Sequence, residues 1–455
     1  MIEHGNSSVK RLLFLHMFLV VLLSLVAVRA YTVTFIADPH YDPLYKEDSN
    51  PNESCRTGGG AAPNITYPYG QYRCGAVDKA LDVLVNALRQ TTKTSNISFM
   101  IGDVILGKHT TREEHDQAIE DLYNKVRSGV AGPLYPVLGN TEFYGISQSS
   151  TNEEILSQIK KLAELTGLEN ISSTAYKQFL KGGYYSIRDG RLKFLVLNTG
   201  VYNALQKRTE DDPLGQLAFV RAELEDCRKS KCRVAIIQHI PLMMSTYTGA
   251  YTMQQRYSDA LRHLYCEYYD VVANIHAAED HRDEFKLIYC QDNNSGIPLF
   301  MLPAISPNRY NNPGYRQVEL SPKTGNLMDY VQYYLDLGLA NIKTRTENVY
   351  TRHRTGHDAP TVNYSLEYRF SDEYGPSIMK HLDDQKLIVA TMKTEGWGTY
   401  IPMRALYIAL QNDPGVWSVF HSHMSSLCYD KKISFICAAR AITIESYKSC
   451  LAKLQ

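Results

Sequence analysis

Thr32-Val33-Thr34-Phe35-Ile36-Ala37-Asp38-Pro39-His40 is the stretch whose reading decides the fold. Its first six residues form an apolar, β-branched run suited to a buried strand, and Asp38 and His40 lie just past the end of that run. Extended backbone turns residues i and i+2 to the same side, so a carboxylate oxygen and an imidazole nitrogen can grip one cation. The arrangement then recurs along the chain. Ser98-Phe99-Met100-Ile101 leads into Gly102-Asp103, Leu134-Tyr135-Pro136-Val137-Leu138 into Gly139-Asn140, and Val234-Ala235-Ile236-Ile237 into Gln238-His239, with Glu279-Asp280-His281 as the last block. A further run, Phe194 to Leu197, leads into Asn198-Thr199. Between the strands, apolar residues at three- and four-residue spacing predict amphipathic helices over Ala76–Gln90 and Glu113–Arg127. This alternation predicts an α/β layered domain with helices packed on a central sheet, and it puts the ligand-type residues at strand ends, where such sheets gather their sites.

Taken singly, these residues say little. Gly-Asp is usually a turn, Asn140 suits a left-handed turn position, and a lone histidine at a strand end such as His239 or His281 is more often a hydrogen-bonded core residue. Their joint placement after Asp38 and His40 is what points to metal ligation. Asp103 is the natural bridging ligand, because one carboxylate can reach two cations that clamp a phosphate. Asn140 offers a neutral amide oxygen to the second of them.

At 455 residues the chain can bury one large core or two modest ones. Lys and Arg total 48 and Asp and Glu total 48, without a long run of either sign, which excludes the electrostatic footprint of a nucleic-acid polymer binder. Lys10-Arg11, the apolar run Leu12–Val28 and Val28-Arg29-Ala30 have the build of a cleaved secretory signal over residues 1–30; a signal anchor is the rival reading, because the run approaches a membrane span. No second stretch is long enough to span a membrane, so cleavage leaves no stable anchor. Secretion makes disulfides feasible. With nine cysteines at least one lacks an internal partner, and sequence proximity suggests Cys55–Cys74, Cys227–Cys232 and Cys437–Cys450, with Cys266–Cys290 leaving Cys428 over. Six sequons, at Asn52, Asn64, Asn96, Asn170, Asn293 and Asn363, fit a glycosylated secreted or lumenal protein. Beyond residue 320 the chain reads as a smaller, mostly helical portion, with helices over Asp329–Leu337 and Pro376–Lys393.

The order of the blocks resembles the calcineurin-like metallophosphoesterases, which read D-x-H, G-D, G-N-H, G-H and G-H-x-H. Here Thr141 takes the place of the third block's histidine, Glu279 that of the last block's first histidine, and Gln238 that of the glycine before His239, where it is expected to add bulk beside the site. More narrowly, Tyr269-Asp270-Val271-Val272-Ala273 through Asp283-Glu284-Phe285 is similar to the acid sphingomyelinase-like phosphodiesterases. So are Pro303-Ala304-Ile305-Ser306-Pro307, Asn312-Pro313-Gly314-Tyr315-Arg316, and the tail from Cys437 to Leu451. There is no room between Ala30 and the first strand for a saposin-like domain, as in the family's shorter branch.

The resemblance implies an α/β layered metallophosphoesterase fold, a central β-sandwich flanked by helices over residues 31–320, and a sphingomyelinase-like C-terminal subdomain over 321–455. It implies two zinc ions, the first held by Asp38, His40, Asp103 and His281, the second by Asp103, Asn140 and His239 with Glu279 in place of a histidine. A hydroxide on the cations would attack phosphorus. The histidine that Thr141 replaces donates a proton to the leaving group in the family, and losing such help costs about two to four orders of magnitude in rate. His109, in the loop after Asp103, and Glu142, beside Thr141, are the candidate substitutes. The expected function is that of a secreted, monomeric, metal-dependent hydrolase of nucleotides or other small phosphodiesters. The alternative is a catalytically degraded relative serving as a secreted binding glycoprotein.

Overall fold

Among the described residues, two six-stranded sheets lie face to face, and the side chains between them form the core. The computed structural model describes residues 30–424, apart from 54, 59–64, 108–110, 147–149, 207, 243, 291–294, 343–361 and 383–395. The first sheet has the order β12-β11-β10-β1-β2-β3, built from β1 (Tyr31–Ala37), β2 (Ile97–Ile101), β3 (Leu134–Val137), β10 (Gly314–Leu320), β11 (Leu327–Tyr334) and β12 (Ser365–Arg369). The second has the order β4-β5-β6-β7-β9-β8, built from β4 (Tyr185–Asp189), β5 (Leu192–Val196), β6 (Arg233–Ile237), β7 (Val272–Ala277), β8 (Glu284–Cys290) and β9 (Ser295–Met301). Within the first sheet β1, β2 and β3 are parallel. Within the second, β5, β6, β7 and β9 are parallel.

Aromatic rings knit the two sheets together. Phe35 of β1 stacks 4.5 Å from the His276 ring of β7, Phe99 of β2 lies 5.6 Å from Phe194 of β5, and Phe300 of β9 meets Tyr330 of β11 at 6.3 Å. Fully burying one such side chain stabilises the fold by about 1.5–3 kcal/mol. The sandwich therefore accounts for the continuous apolar runs of the parallel strands, which are covered on both faces.

Helices cover the outer faces: α1 (Asp78–Thr91), α2 (Arg112–Arg127), α3 (Asn152–Leu165), α4 (Leu168–Ile171), α5 (Ser173–Phe179), α6 (Gln216–Ser230) and α7 (Gln255–Glu267). In α1 the buried residues Leu81, Leu84, Val85 and Leu88 recur at helical spacing, with Asp78 in the first turn and Arg89 in the last, where each charge complements the helix dipole. Thr111 and Glu114 form a reciprocal capping box at the start of α2, and Thr151 and Glu154 do the same for α3.

Two strands beyond residue 320 extend the first sheet. The expected helix over Asp329–Leu337 is instead β11, paired antiparallel with β10. Its aromatic and β-branched residues pack across strands, with Tyr333 stacked 4.9 Å from Tyr315, and this pairing overrides the helical spacing. The expected helix from Pro376 begins earlier, as α8 (Phe370–Lys380), and residues 383–393 of that reading lie outside the described ones. It is followed by α9 (Tyr400–Asn412) and α10 (Pro414–Met424). Disulfides join Cys55–Cys74, Cys227–Cys232 and Cys266–Cys290; Cys428, Cys437 and Cys450 lie outside the described residues. No helix among the described residues is long and apolar enough to cross a membrane.

One buried charge ties the sheets beneath the site. Arg316 of β10 is fully buried; its Nε donates to Gln332 Oε1 at 2.9 Å and its Nη1 to the Met301 carbonyl at 3.1 Å. Its Nη2 donates to Asp283, which also accepts from the Tyr368 hydroxyl, and the guanidinium lies 4.0 Å from the Tyr330 ring. Removing one partner of such a pair leaves the other charge buried. Arg316→Met is therefore expected to lower unfolding stability by about 3–5 kcal/mol in a urea titration. A loss under about 1 kcal/mol would show that Asp283 is compensated elsewhere.

Candidate metal centre

Every ligand block follows the C-terminal end of a parallel strand: Asp38 and His40 after β1, Asp103 after β2, Asn140 after β3, His239 after β6, and Glu279 and His281 after β7. The strands end in step. Ala37 pairs with Ile101 and Ile101 with Val137, while Ile237 pairs with His276 in the other sheet. The loops that leave them consequently open onto one rim.

The backbone at these loops is costly. Asp38, His40, Asp103, Glu279 and His281 all adopt the left-handed region, with φ of 46°, 42°, 49°, 75° and 59°. Such conformations cost about 1–3 kcal/mol each in non-glycine residues and cluster where function demands them. Core packing alone gives no reason for five ligand-type residues to share that strain.

The side chains converge. His40 Nε2 lies 3.1 Å from His281 Nε2, and His281 Nε2 lies 3.4 Å from Asp38 Oδ1. Asp103 faces both ways, with Oδ2 3.5 Å from His40 Nε2 and Oδ1 3.4 Å from His239 Nε2. Glu279 Oε2 lies 3.1 Å from His239 Nε2, and the Asn140 amide lies 3.2 Å from Glu279 Oε2 and 3.3 Å from Asp103 Oδ1. Two groups, Asp38–His40–His281 and Asp38–Asp103–His239, have ligand atoms within 4.8 Å of one another. All seven residues expected from the sequence are thus brought to one place.

The donor set suits divalent cations. Asp38 Oδ1 and Oδ2 and His239 Nε2, which face the centre, are buried without a hydrogen-bond partner among the described residues. Leaving such atoms unsatisfied is expensive, and imidazole nitrogens with carboxylate oxygens are what a zinc-like ion takes. Burial also sets the protonation of the ligands. It pushes Asp38 up to about 6, with His239 opposing and Asp103 adding to the rise. It pushes His40 down to about 4, against the pull of Asp103. Burial, with Arg309 nearby, takes His281 down to about 3. His40 and His281 are therefore neutral, the form that ligates. Burial would raise Asp103, but His239 facing it draws the carboxyl well below its usual range; burial would lower His239, and Asp103 holds it well above.

The calcineurin-like phosphoesterase family matches residues 31–277. This chain is a calcineurin-like phosphoesterase. Among the proteins that the phosphoesterase resembles are the cyclic GMP-AMP phosphodiesterase SMPDL3A of Bos taurus, 24% identical over 449 residues covering 91% of this chain and 89% of the relative, and the acid sphingomyelinase-like phosphodiesterase 3b of Homo sapiens, 24% identical over 444 residues covering 91% and 89%. Both likenesses are consistent with the resemblance to the acid sphingomyelinase-like phosphodiesterases carried by the sequence motifs. A dimetal phosphatase from Danio rerio is similar at 17% identity and a TM-score of 0.43, covering 67% of this chain and 95% of that one.

The altered positions of the phosphoesterase have specific settings. Thr141 keeps its Oγ1 buried without a hydrogen-bond partner among the described residues, while its amide donates to Asp103 Oδ1 at 3.1 Å. Glu142 is buried and accepts from Val104 N at 2.8 Å and Gly139 N at 2.9 Å, tying the Asp103 loop to the Asn140 loop. Gln238 does not narrow the site as expected: its amide donates to the Ile240 carbonyl at 2.7 Å and accepts from the Tyr265 hydroxyl at 3.1 Å, tying the end of β6 to α7. His109 lies outside the described residues.

Two neighbours escaped the sequence reading. His115 on α2 is buried with Nε2 3.3 Å from the Thr141 carbonyl and Nδ1 3.2 Å from Asp116 Oδ1. Its only sequence signal is a place on the apolar stripe with Ala118, Ile119 and Leu122. Arg309, in the loop after β9, lies beside Glu279; no spacing rule links it to the blocks.

Gly102 permits the close approach of two ligand loops. A Cβ there would lie 2.6 Å from His239 Nδ1 and 2.7 Å from the Gly139 backbone, on a residue whose φ is 57°. Gly102→Ala is expected to cost about 1–3 kcal/mol of stability and to reduce bound metal. Thermal unfolding and metal analysis of the purified variant check this; unchanged values for both would refute it.

Proposed function

We propose that this phosphoesterase hydrolyses small phosphodiesters, nucleotides among them, at a two-cation centre, with zinc as the resident metal, in a secreted or lumenal setting. The observation that carries the proposal is the convergence of buried Asp38, His40, Asp103, His239 and His281 on one place, with both Asp38 oxygens left without a hydrogen-bond partner among the described residues. The Bos taurus relative is a cyclic GMP-AMP phosphodiesterase, which supports the substrate class. The three disulfides and the apolar leader support the setting.

Bound cations would supply Lewis acidity toward the phosphoryl oxygens and activate water. Asp38, His40, Asp103 and His281 would hold the first, and Asp103, Asn140, His239 and Glu279 the second. Asp103 is suited to join them because its two oxygens face opposite histidines. Glu279 keeps the second position supplied with a donor, and its charge favours a somewhat harder cation than imidazole would.

The chain's own residues set the limits of the reaction. Thr141 stands at the proton-donor position, and a hydroxyl is too weak an acid to protonate a leaving alkoxide near neutral pH. Both Glu142 oxygens are engaged by backbone amides, so Glu142 serves as a strut between the two ligand loops. Substrates with good leaving groups are favoured in consequence.

Metal analysis combined with hydrolysis of a nitrophenyl phosphodiester tests the proposal. Two ions per chain and turnover abolished by a chelator are expected; fewer than one ion and no turnover would leave the binding-glycoprotein reading. Leaving-group dependence gives the second check. Thr141→His is expected to accelerate an alkyl-leaving phosphodiester by about two orders of magnitude while changing the nitrophenyl ester by less than about threefold. Equal effects on both substrates would show that position 141 does not govern proton donation.

A further inference from the structure

The acids Glu279 and Asp280 share one cation that the ligand blocks do not contain. Arg309 Nη2 lies 3.7 Å from Glu279 Oε1, and Arg309 Nη1 lies 3.7 Å from Asp280 Oδ1. The two oxygens of Glu279 are thereby divided: Oε2 faces His239 and Asn140, and Oε1 faces the guanidinium. Asp280 is fully buried and held in place, accepting from Ser245 Oγ at 2.6 Å and from Thr246 N at 3.2 Å. The same loop carries Tyr247, whose exposed ring lies 5.1 Å from the Arg309 guanidinium and 4.8 Å from that of Arg282. Arg309 is therefore fixed on two sides. Its side chain is nonetheless 25% exposed, against 11% for Glu279, so it stands at the rim of the centre and can meet a ligand there.

The charge at this position explains what such a residue can do. A carboxylate at position 279, where a histidine would be neutral, lowers the charge of the loaded centre by one unit and weakens its attraction for an anionic phosphoryl group. A guanidinium on the outer oxygen of that carboxylate returns the unit. It also presents planar N–H donors suited to phosphate oxygens. We infer that Arg309 is a specificity-determining residue, supplying beside Glu279 the positive charge that the substrate's phosphoryl oxygens require. The inference rests on the two-cation reading of the site and extends it to a residue outside the ligand set.

Inorganic phosphate is the probe, titrated calorimetrically into the zinc-loaded full-length glycoprotein after metal content has been measured. Arg309→Gln is expected to weaken phosphate binding by about tenfold or more without loss of bound metal, and Arg309→Lys by less than about threefold. Glu279→His, which removes the need for compensation, is expected to restore phosphate affinity to within about threefold of wild type in the Arg309→Gln background. Unchanged affinity in Arg309→Gln overturns the inference, as does a double variant no tighter than Arg309→Gln alone. Loss of the second ion from Arg309→Gln also overturns it, because Arg309 would then act only by holding a metal ligand. A wild-type protein without a second ion defeats the two-cation reading itself, a result distinguishable from the others because metal is counted first.

Discussion

Asp103 is the constraint on which the rest of this structure turns. One of its oxygens faces His40 from the first sheet and the other faces His239 from the second, at 3.5 and 3.4 Å. Its position in turn depends on backbone: Asn140 N and Thr141 N donate to Oδ1 at 2.8 and 3.1 Å, and Gly102 and Gly139 keep side-chain atoms out of the way. The sandwich, the in-step strand ends and the two glycines can all be understood as what is needed to place that carboxylate between two histidines.

The site is costly to the fold. Five ligand-type residues sit in left-handed backbone, and three acids with three imidazoles are buried together. The surrounding core must outweigh that cost, and the aromatic contacts between the sheets with the Arg316–Asp283 pair are suited to doing so. Asp283 lies only two residues after His281, so the stabilising network and the ligand loop are braced by the same short segment. Bound cations would relieve part of the cost by satisfying the unpartnered atoms of Asp38 and His239.

The sequence-legible part was the part with a strong local signal. Buried parallel strands read as apolar runs because both faces are covered, and their ends carried the ligand types, so β1, β2, β3 and β6 and their blocks were readable within a residue or two. β11 was misread as helix because its apolar and aromatic residues also fit helical spacing; only its partner strand distinguishes the two. Gln238 was misplaced because a strand end allows either direction, and Tyr265 of α7 supplied the partner that settled it.

By itself, the sequence determined the residue types of the candidate centre, their order, and the departures at Thr141, Gln238 and Glu279. It could do so because ligand chemistry is carried by side-chain type and by position after a strand, both of which are local. Only the tertiary structure decided that Asp103 faces both histidines, that both Glu142 oxygens are taken by backbone amides, and that Arg309 stands against Glu279. Those facts depend on how strands from two sheets end beside one another. Coulomb interaction and hydrogen bonding act over a few ångströms of space, whatever the separation along the chain.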